Sequence, residues 1–226
     1  GYYQDALPNH TWDAVTFQPY GAGGSTINSE ADEIVRLINL TQTNSSNADT
    51  KFYIYGGFPS RNKISGWLDS SPDNDNAGIN QTRDQYLHIF NRVRAATDAE
   101  VYMIPTGDIM YAMYTEIVTN GSLGTITDPL ALYRDSLHAN FTGARYGLMM
   151  GTLSTIYGHD PTGMTFNRPL EGVNRINDDL AAAINGVVWD QVTQDASLTG
   201  VPEPASLTLL VAGLLAVQRR RSYPKD

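Results

Sequence analysis

The chain has 226 residues, enough for one domain with a sizeable core and a tail. Its formal charge of -9 would repel a phosphate backbone, which argues against nucleic-acid binding, and basic residues cluster only at Arg219, Arg220 and Arg221. There is no cysteine, so disulfides, thiolate chemistry and Cys-based zinc sites are excluded.

Gly1 is not an initiator Met, and the chain reads as a fragment or processed form. The first clear element is Trp12 to Gln18, where β-branched and alternating apolar residues predict a short buried strand. A glycine-rich loop over Pro19 to Gly24 follows. Ser25 or Ser29 then caps a helix over about Glu30 to Leu40, with Ile34, Val35, Leu37 and Ile38 as its apolar stripe. The Asn/Ser/Thr-rich stretch Thr41 to Thr50 reads as a loop. Lys51 to Tyr55 is a second strand, ended by Gly56 and Gly57. Asp69 to Asn80 is polar and reads as an exposed loop. Asp73, Asp75, Gly78 and Asp84 there fall at calcium-loop places, but Ala77 and Asp84 are poor ligands for it, so the reading is a solvated loop. Gln85 to Ala96 has helical spacing, Glu100 to Ile104 is a third strand ended by Pro105, and Gly107 to Val118, Phe141 to Tyr157 and Ile176 to Val192 are helices.

Strands alternating with helices at this spacing predict βαβ units and a parallel sheet. Only three strands are evident where a doubly wound sheet usually has five or so, which leads to the expectation that the first strand or strands are missing. His10, His88 and His159 have no metal-ligand spacing, and no metal site is expected.

At the C-terminus, Val201-Pro202-Glu203-Pro204 precedes the apolar run Ala205 to Val217 and then three arginines. The run is short for a bilayer span of about 20 residues and has no amphipathic face of the kind a core helix shows. This three-part arrangement resembles a PEP-CTERM sorting signal. The resemblance implies export in a Gram-negative bacterium, to the cell envelope or extracellular matrix, with an exosortase that removes the tail and membrane contact only through it. Residues 1–195 are read as the domain and 196–226 as the tail.

The residues with chemical promise are Asp135 and His138 in LYRDSLHANFTGARYG. A D-x-x-H pair before a helix lets one turn supply a general base and the carboxylate that orients it. With Asn140, Gly143 and Tyr146, and then Tyr157-Gly158-His159-Asp160-Pro161, the string resembles the last motif block of the SGNH hydrolases, in their carbohydrate-esterase-like branch. WDAVTFQPY, YIYGGFPSR and VYMIPTGD add to the likeness. The resemblance implies an SGNH-hydrolase-like (flavodoxin-like) α/β three-layer sandwich, with His138 as catalytic base, Asp135 as its orienting acid and Gln18 as an oxyanion donor. Arg61 is either a contact for an anionic or sugar substrate or a solvated surface residue, the latter favoured. The family's nucleophilic serine sits in a G-D-S or G-N-S turn that this sequence lacks. Ser25, in GGST, follows the wrong strand and is better explained by helix capping. The expected activity is that of an esterase on acylated carbohydrate or polysaccharide, requiring no cofactor. The alternative is a non-catalytic surface or matrix protein that binds polysaccharide on the same scaffold.

Overall fold

A computed structural model describes residues 2–20, 25–70, 82–165 and 176–203. The glycine-rich loop at 21–24, most of the polar calcium-like loop (71–81) and the tail from 204 lie outside these residues. The chain runs through α1 (Tyr3–Asn9), β1 (Ala14–Phe17), α2 (Ile27–Gln42), β2 (Lys51–Tyr55), α3 (Arg83–Ala95), β3 (Val101–Ile104), α4 (Thr106–Asn120), α5 (Ala144–Tyr157), α6 (Asp178–Thr193) and α7 (Ala196–Thr199).

The three strands form one parallel sheet in the order β1-β2-β3, with Val15 opposite Phe52 and Phe52 opposite Val101. A chain that steps through parallel strands in one direction by crossovers of one hand lays its crossover helices on one face. Accordingly α2 and α3 pack together, over Phe17, Phe52, Ile54, Val101 and Met103. The rings of Phe17 and Phe52 stack at 6.0 Å within that layer. Helices α4, α5 and α6 pack on one another and form the second layer, reaching the sheet through α5 and β3. Phe52, Tyr53 and Ile54 are all buried, as expected of a central strand covered on both faces. Thr16 of β1 is exposed, so one face of this strand is left open beside the second layer.

Small residues at helical spacing let that second layer close. A Cβ added at Gly147 would lie 3.0 Å from Met113 Sδ and 3.1 Å from Ile184 Cγ2, and one at Gly151 would lie 2.2 Å from Ile109 Cδ1. Helix α2 begins earlier than its apolar stripe suggests. Thr26, rather than Ser25 or Ser29, is its N-cap: Thr26 Oγ1 accepts from the Ser29 N–H at 3.2 Å, and Ser29 Oγ accepts from the Thr26 N–H at 2.8 Å. The Thr41 to Thr50 stretch is more ordered than a loop. It ends α2 and contains a 3-10 turn at Ser45–Asn47. Asn47 is buried there; its Nδ2 donates to the carbonyls of Thr41 and His10 at 3.0 Å, and its Oδ1 accepts from the Trp12 N–H at 2.9 Å. One amide side chain thus ties α1, α2 and the entry to β1 together.

Contacts with the described fold continue past the expected tail boundary at 195/196. Helix α7 packs on β3 and α6, Leu198 and Val201 are buried, and the Arg94 guanidinium donates to the Ser197 carbonyl at 2.9 Å. Ser197 and Leu198 read as spacer in sequence because four helical residues carry no periodicity. The folded unit therefore reaches Val201. Burial of a Leu or Val side chain contributes about 1.5–3 kcal/mol, and 1 kcal/mol moves the melting point of a domain this size by about 2–4 °C. A chain ending at Glu203 is expected to melt within about 2 °C of the full chain, and one ending at Asp195 roughly 6–24 °C lower. Differential scanning calorimetry of the two truncations checks this; equal melting points would contradict it.

Candidate functional site

The D-x-x-H turn is built by one carboxylate. Asp135 Oδ1 accepts from the backbone N–H of Leu137 at 2.9 Å and of His138 at 2.8 Å, closing the turn on its own side chain. Both carboxylate oxygens lie 2.9 Å from His138 Nδ1. Arg134 donates to Oδ2 from Nε at 3.3 Å and Nη2 at 3.2 Å. The N–H groups of Leu137 and His138 hold the Asp135 carboxyl well below the usual carboxylate range; burial opposes them, and the His138 ring and Arg134 add smaller contributions to the lowering. A charged carboxylate on Nδ1 favours the tautomer with the proton on that nitrogen and leaves Nε2 as an acceptor. The His138 side chain is 59% exposed, and its Nε2 makes no hydrogen bond among the described residues.

Asn140, two residues on, does structural work. Its Oδ1 accepts from the N–H groups of Gly143 at 3.0 Å and Ala144 at 2.9 Å, satisfying donors at the start of α5, while its Nδ2 donates to the Ala131 carbonyl. The backbone on either side is paired as well, Arg134 N–H to the His138 carbonyl and Asn140 N–H to the Leu132 carbonyl, both at 2.8 Å. Gly143 lies close to Ile126, and Tyr146 donates to the Met164 carbonyl at 3.0 Å. The continuation to Tyr157-Gly158-His159-Asp160-Pro161 does not join this site. Helix α5 separates them by 14 residues, about 20 Å of helix.

What seats the turn on the sheet is the loop after β2. The buried Tyr133 hydroxyl donates to the Pro59 carbonyl at 2.7 Å, the Arg61 N–H donates to the Ser136 carbonyl at 2.9 Å, and the rings of Phe58 and Tyr133 lie 6.4 Å apart. Burial pushes the Tyr133 phenol far up, so it stays a neutral donor. That loop is anchored in turn by Asp108, in the first turn of α4. Asp108 Oδ1 accepts from the Trp67 indole at 2.8 Å and from Arg83 Nε at 2.9 Å. Trp67 is buried, against Tyr86, whose phenol burial pushes up to about 12. Sequence reading missed Trp67, Arg83 and Tyr133 as supports; a Trp far from its carboxylate in sequence carries no local signal. The turn thereby stands at the carboxyl ends of the strands, where open α/β sheets form their ligand crevices.

Gln18 follows β1 at the same end of the sheet and is exposed. Continuing the strand's alternation, it falls on the side of the open Thr16. No hydrogen bond joins it to His138 among the described residues. The Ser25 hydroxyl donates to Glu30 at 2.6 Å, which ties it to the first turn of α2 rather than to His138. Arg61 is exposed, with its backbone used and its guanidinium unpartnered among the described residues. No group of three His, Asp or Glu side chains among the described residues is arranged to hold a metal ion.

Residues 200–222 match the PEP-CTERM protein-sorting motif. The protein carries an exosortase sorting signal. It is therefore exported and associated with the surface or envelope of a Gram-negative cell, with exosortase as the enzyme that processes it. Among the described residues no helix is long and apolar enough to cross a membrane, and the apolar run 205–217 lies outside them. No curated protein matches the chain. Among solved structures it is similar to a DUF4886 family protein from Bacteroides uniformis ATCC 8492, with a TM-score of 0.52 and 16% identity over 82% of this chain and 64% of that one. At that identity the likeness shows the fold, a parallel α/β sheet of the Rossmann or flavodoxin kind. The chain spans 64% of the length of that structure.

Two predictions test the site's construction. A depressed carboxyl gives the turn stabilisation that is present above the ordinary Asp value of about 3.9 and lost only as pH falls through the lower folded value. The Asp135 side-chain carboxyl carbon, followed by NMR, is therefore expected to show no carboxyl-protonation step between pH 5 and about 3.5; a carboxyl midpoint at or above about 4 would refute the turn's geometry. A Cβ at Gly107 would meet the rigid Trp67 ring at 2.2 Å and the Gly57 carbonyl oxygen at 2.5 Å, whereas exposed Gly186 in α6 has nothing within 4 Å. Gly107→Ala is expected to destabilise by about 1–3 kcal/mol, and Gly186→Ala to stabilise by about 0.5–1 kcal/mol. Urea unfolding of both variants measures this.

Proposed function

We propose that the protein is an exported SGNH-like hydrolase, an esterase acting on acylated carbohydrate, in which the Asp135–His138 pair is the acid–base half of a serine triad. The observation that carries this reading is the pair itself, with both Asp135 oxygens 2.9 Å from His138 Nδ1 and the turn at the carboxyl edge of a parallel sheet. In this reading His138 Nε2 takes the proton from a serine hydroxyl as that oxygen attacks the ester carbonyl. It then returns the proton to the leaving sugar oxygen. Asp135 stays ionised, holds the tautomer and stabilises the imidazolium. Gln18, on the open side of β1, donates from its amide to the oxyanion. The nucleophilic serine has no G-D-S or G-N-S turn among residues 1–226.

A second reading is a non-catalytic scaffold that binds polysaccharide at the cell surface. It is favoured by one observation: the Ser25 hydroxyl, the one glycine-flanked serine at a strand-to-helix junction, is bonded to Glu30. Turnover of p-nitrophenyl acetate separates the two. The protein as the cell exports it is expected to hydrolyse the ester, with Asp135→Asn and His138→Ala each lowering kcat by about 10⁴-fold. The 226-residue chain alone is expected to stay near background. Equal activity of exported protein and His138→Ala would remove His138 as the base, and no activity above background in any form would favour the scaffold.

A further inference from the structure

The chain as a whole is acidic, with 24 Asp and Glu against 15 Lys and Arg. The two segments that meet around the His138 turn have the opposite balance. Residues 56–63 and 131–147 together hold Arg61, Lys63, Arg134 and Arg145 against one carboxylate, Asp135. That carboxylate is already engaged by the backbone, by His138 and by Arg134. Arg134 and Arg145 share a ring: their guanidinium carbons lie 5.0 Å and 4.2 Å from the centroid of Phe141. Arg145 has no carboxylate partner among the described residues, and neither has Arg61, whose backbone is pinned to Ser136 at 2.9 Å. Like charges gathered on one aromatic ring repel one another, so the arrangement leaves a positive potential that an incoming anion would relieve.

The apolar partners narrow the ligand. Leu137 is 52% exposed and Phe141 37% exposed, so the guanidinium donors sit beside open hydrocarbon surface. A free inorganic anion makes no use of such surface; the C–H faces of a sugar ring do. Guanidinium groups match the two oxygens of a planar carboxylate in pairs of parallel hydrogen bonds. A stacked guanidinium keeps its N–H edge free for that purpose, and stacking holds it in place beforehand. Nucleic acid is disfavoured by the overall charge of -9.

We propose that Arg61 and Arg145, beside His138, form a subsite for the carboxylate of a uronic acid, so that the saccharide bound here is an acidic one. This rests on reading the His138 turn as the edge of a saccharide site and names the class of saccharide it takes. Binding to the subsite is electrostatic and weakens with added salt, because the donors are exposed and screened over about 8–10 Å at 0.1–0.15 M salt.

Calorimetric titration of the chain ending at Glu203, which keeps the described core and lacks the apolar run and arginines of the tail, with tetragalacturonate, with its fully methyl-esterified counterpart, and with phosphatidylglycerol vesicles tests this. Tetragalacturonate alone is expected to bind, with affinity falling as salt rises. Loss of a charge-assisted bidentate contact corresponds to about tenfold in affinity, so Arg145→Ala and Arg61→Ala are each expected to weaken binding by about that factor. Arg145→Lys, which keeps the charge without the fork, is expected to lie between. Equal binding of the methyl ester would overturn the carboxylate subsite. Vesicle binding as strong as that of tetragalacturonate would show a general anionic surface instead, and absence of tetragalacturonate binding would overturn the proposal outright. Because binding is read without turnover, failure of ester hydrolysis bears on the esterase reading, and failure of binding bears on the subsite.

Discussion

The geometry of the candidate site depends on one carboxylate that is not part of it. Asp108 accepts from the Trp67 indole and from Arg83, and so fastens the long loop after β2 to the first turn of α4. A carboxylate in the first turn of a helix is also favoured by the helix dipole. Gly107 lets the Trp67 ring lie against the helix, where any Cβ would strike it. From that anchor the support passes outward: the loop presents Pro59 and Arg61, these hold Tyr133 and Ser136, and between them Asp135 folds the turn that carries His138. Each link is one or two hydrogen bonds, a neutral one worth about 0.5–1.5 kcal/mol by itself. The series gains its rigidity from the burial of Trp67 and Tyr133 at its two ends.

The Asp135–His138 pair differs from the buried dyads of many hydrolases in lying largely in solvent, with side-chain exposures of 44% and 59%. An exposed ion pair contributes little to stability because water and salt screen it. Its order comes instead from the two backbone N–H groups that converge on Asp135, which fix the carboxylate whether or not the imidazole is charged. The pair is therefore organised locally, by a short turn. Its surroundings are organised globally, by the loop that brings Arg61 beside it. The two segments that meet at this turn carry Arg61, Lys63, Arg134 and Arg145 against the single carboxylate of Asp135, in a chain that is acidic as a whole.

The open side of β1 and the sorting segment mark the two ends of the described fold. On β1, Phe17 is buried beneath the helices of the first layer and Val15 packs against the same cluster, while Thr16 faces outward, so the edge strand is covered on one face only. At the other end, Val201 is buried within the second layer, and the Pro-Glu-Pro motif begins at the next residue. The sorting motif, matched over residues 200–222, thus overlaps the last buried residue of the described core.

Local signals in the sequence settled the local structure. β-branched and aromatic runs marked all three strands, and apolar spacing marked the five long helices, because burial of one helix face or a central strand imposes a period that a short window contains. The D-x-x-H turn was legible for the same reason, since three residues are enough to let Asp135 reach the N–H groups and the ring of His138. The sorting motif was legible because its reader recognises a linear segment. The remaining features were decided by contacts between residues distant in sequence. Trp67 and Arg83 meet Asp108 across 41 and 25 residues, Tyr133 reaches Pro59 across 74, and Asn47 reaches Trp12 across 35. The separation of His159 from His138 by a helix, the packing of α7 on β3, and the pairing of the Arg61 N–H with the Ser136 carbonyl are likewise tertiary. No short window records which loops a parallel sheet brings together at the carboxyl ends of its strands, because the crossover helices that place them bury their faces against residues tens of positions away.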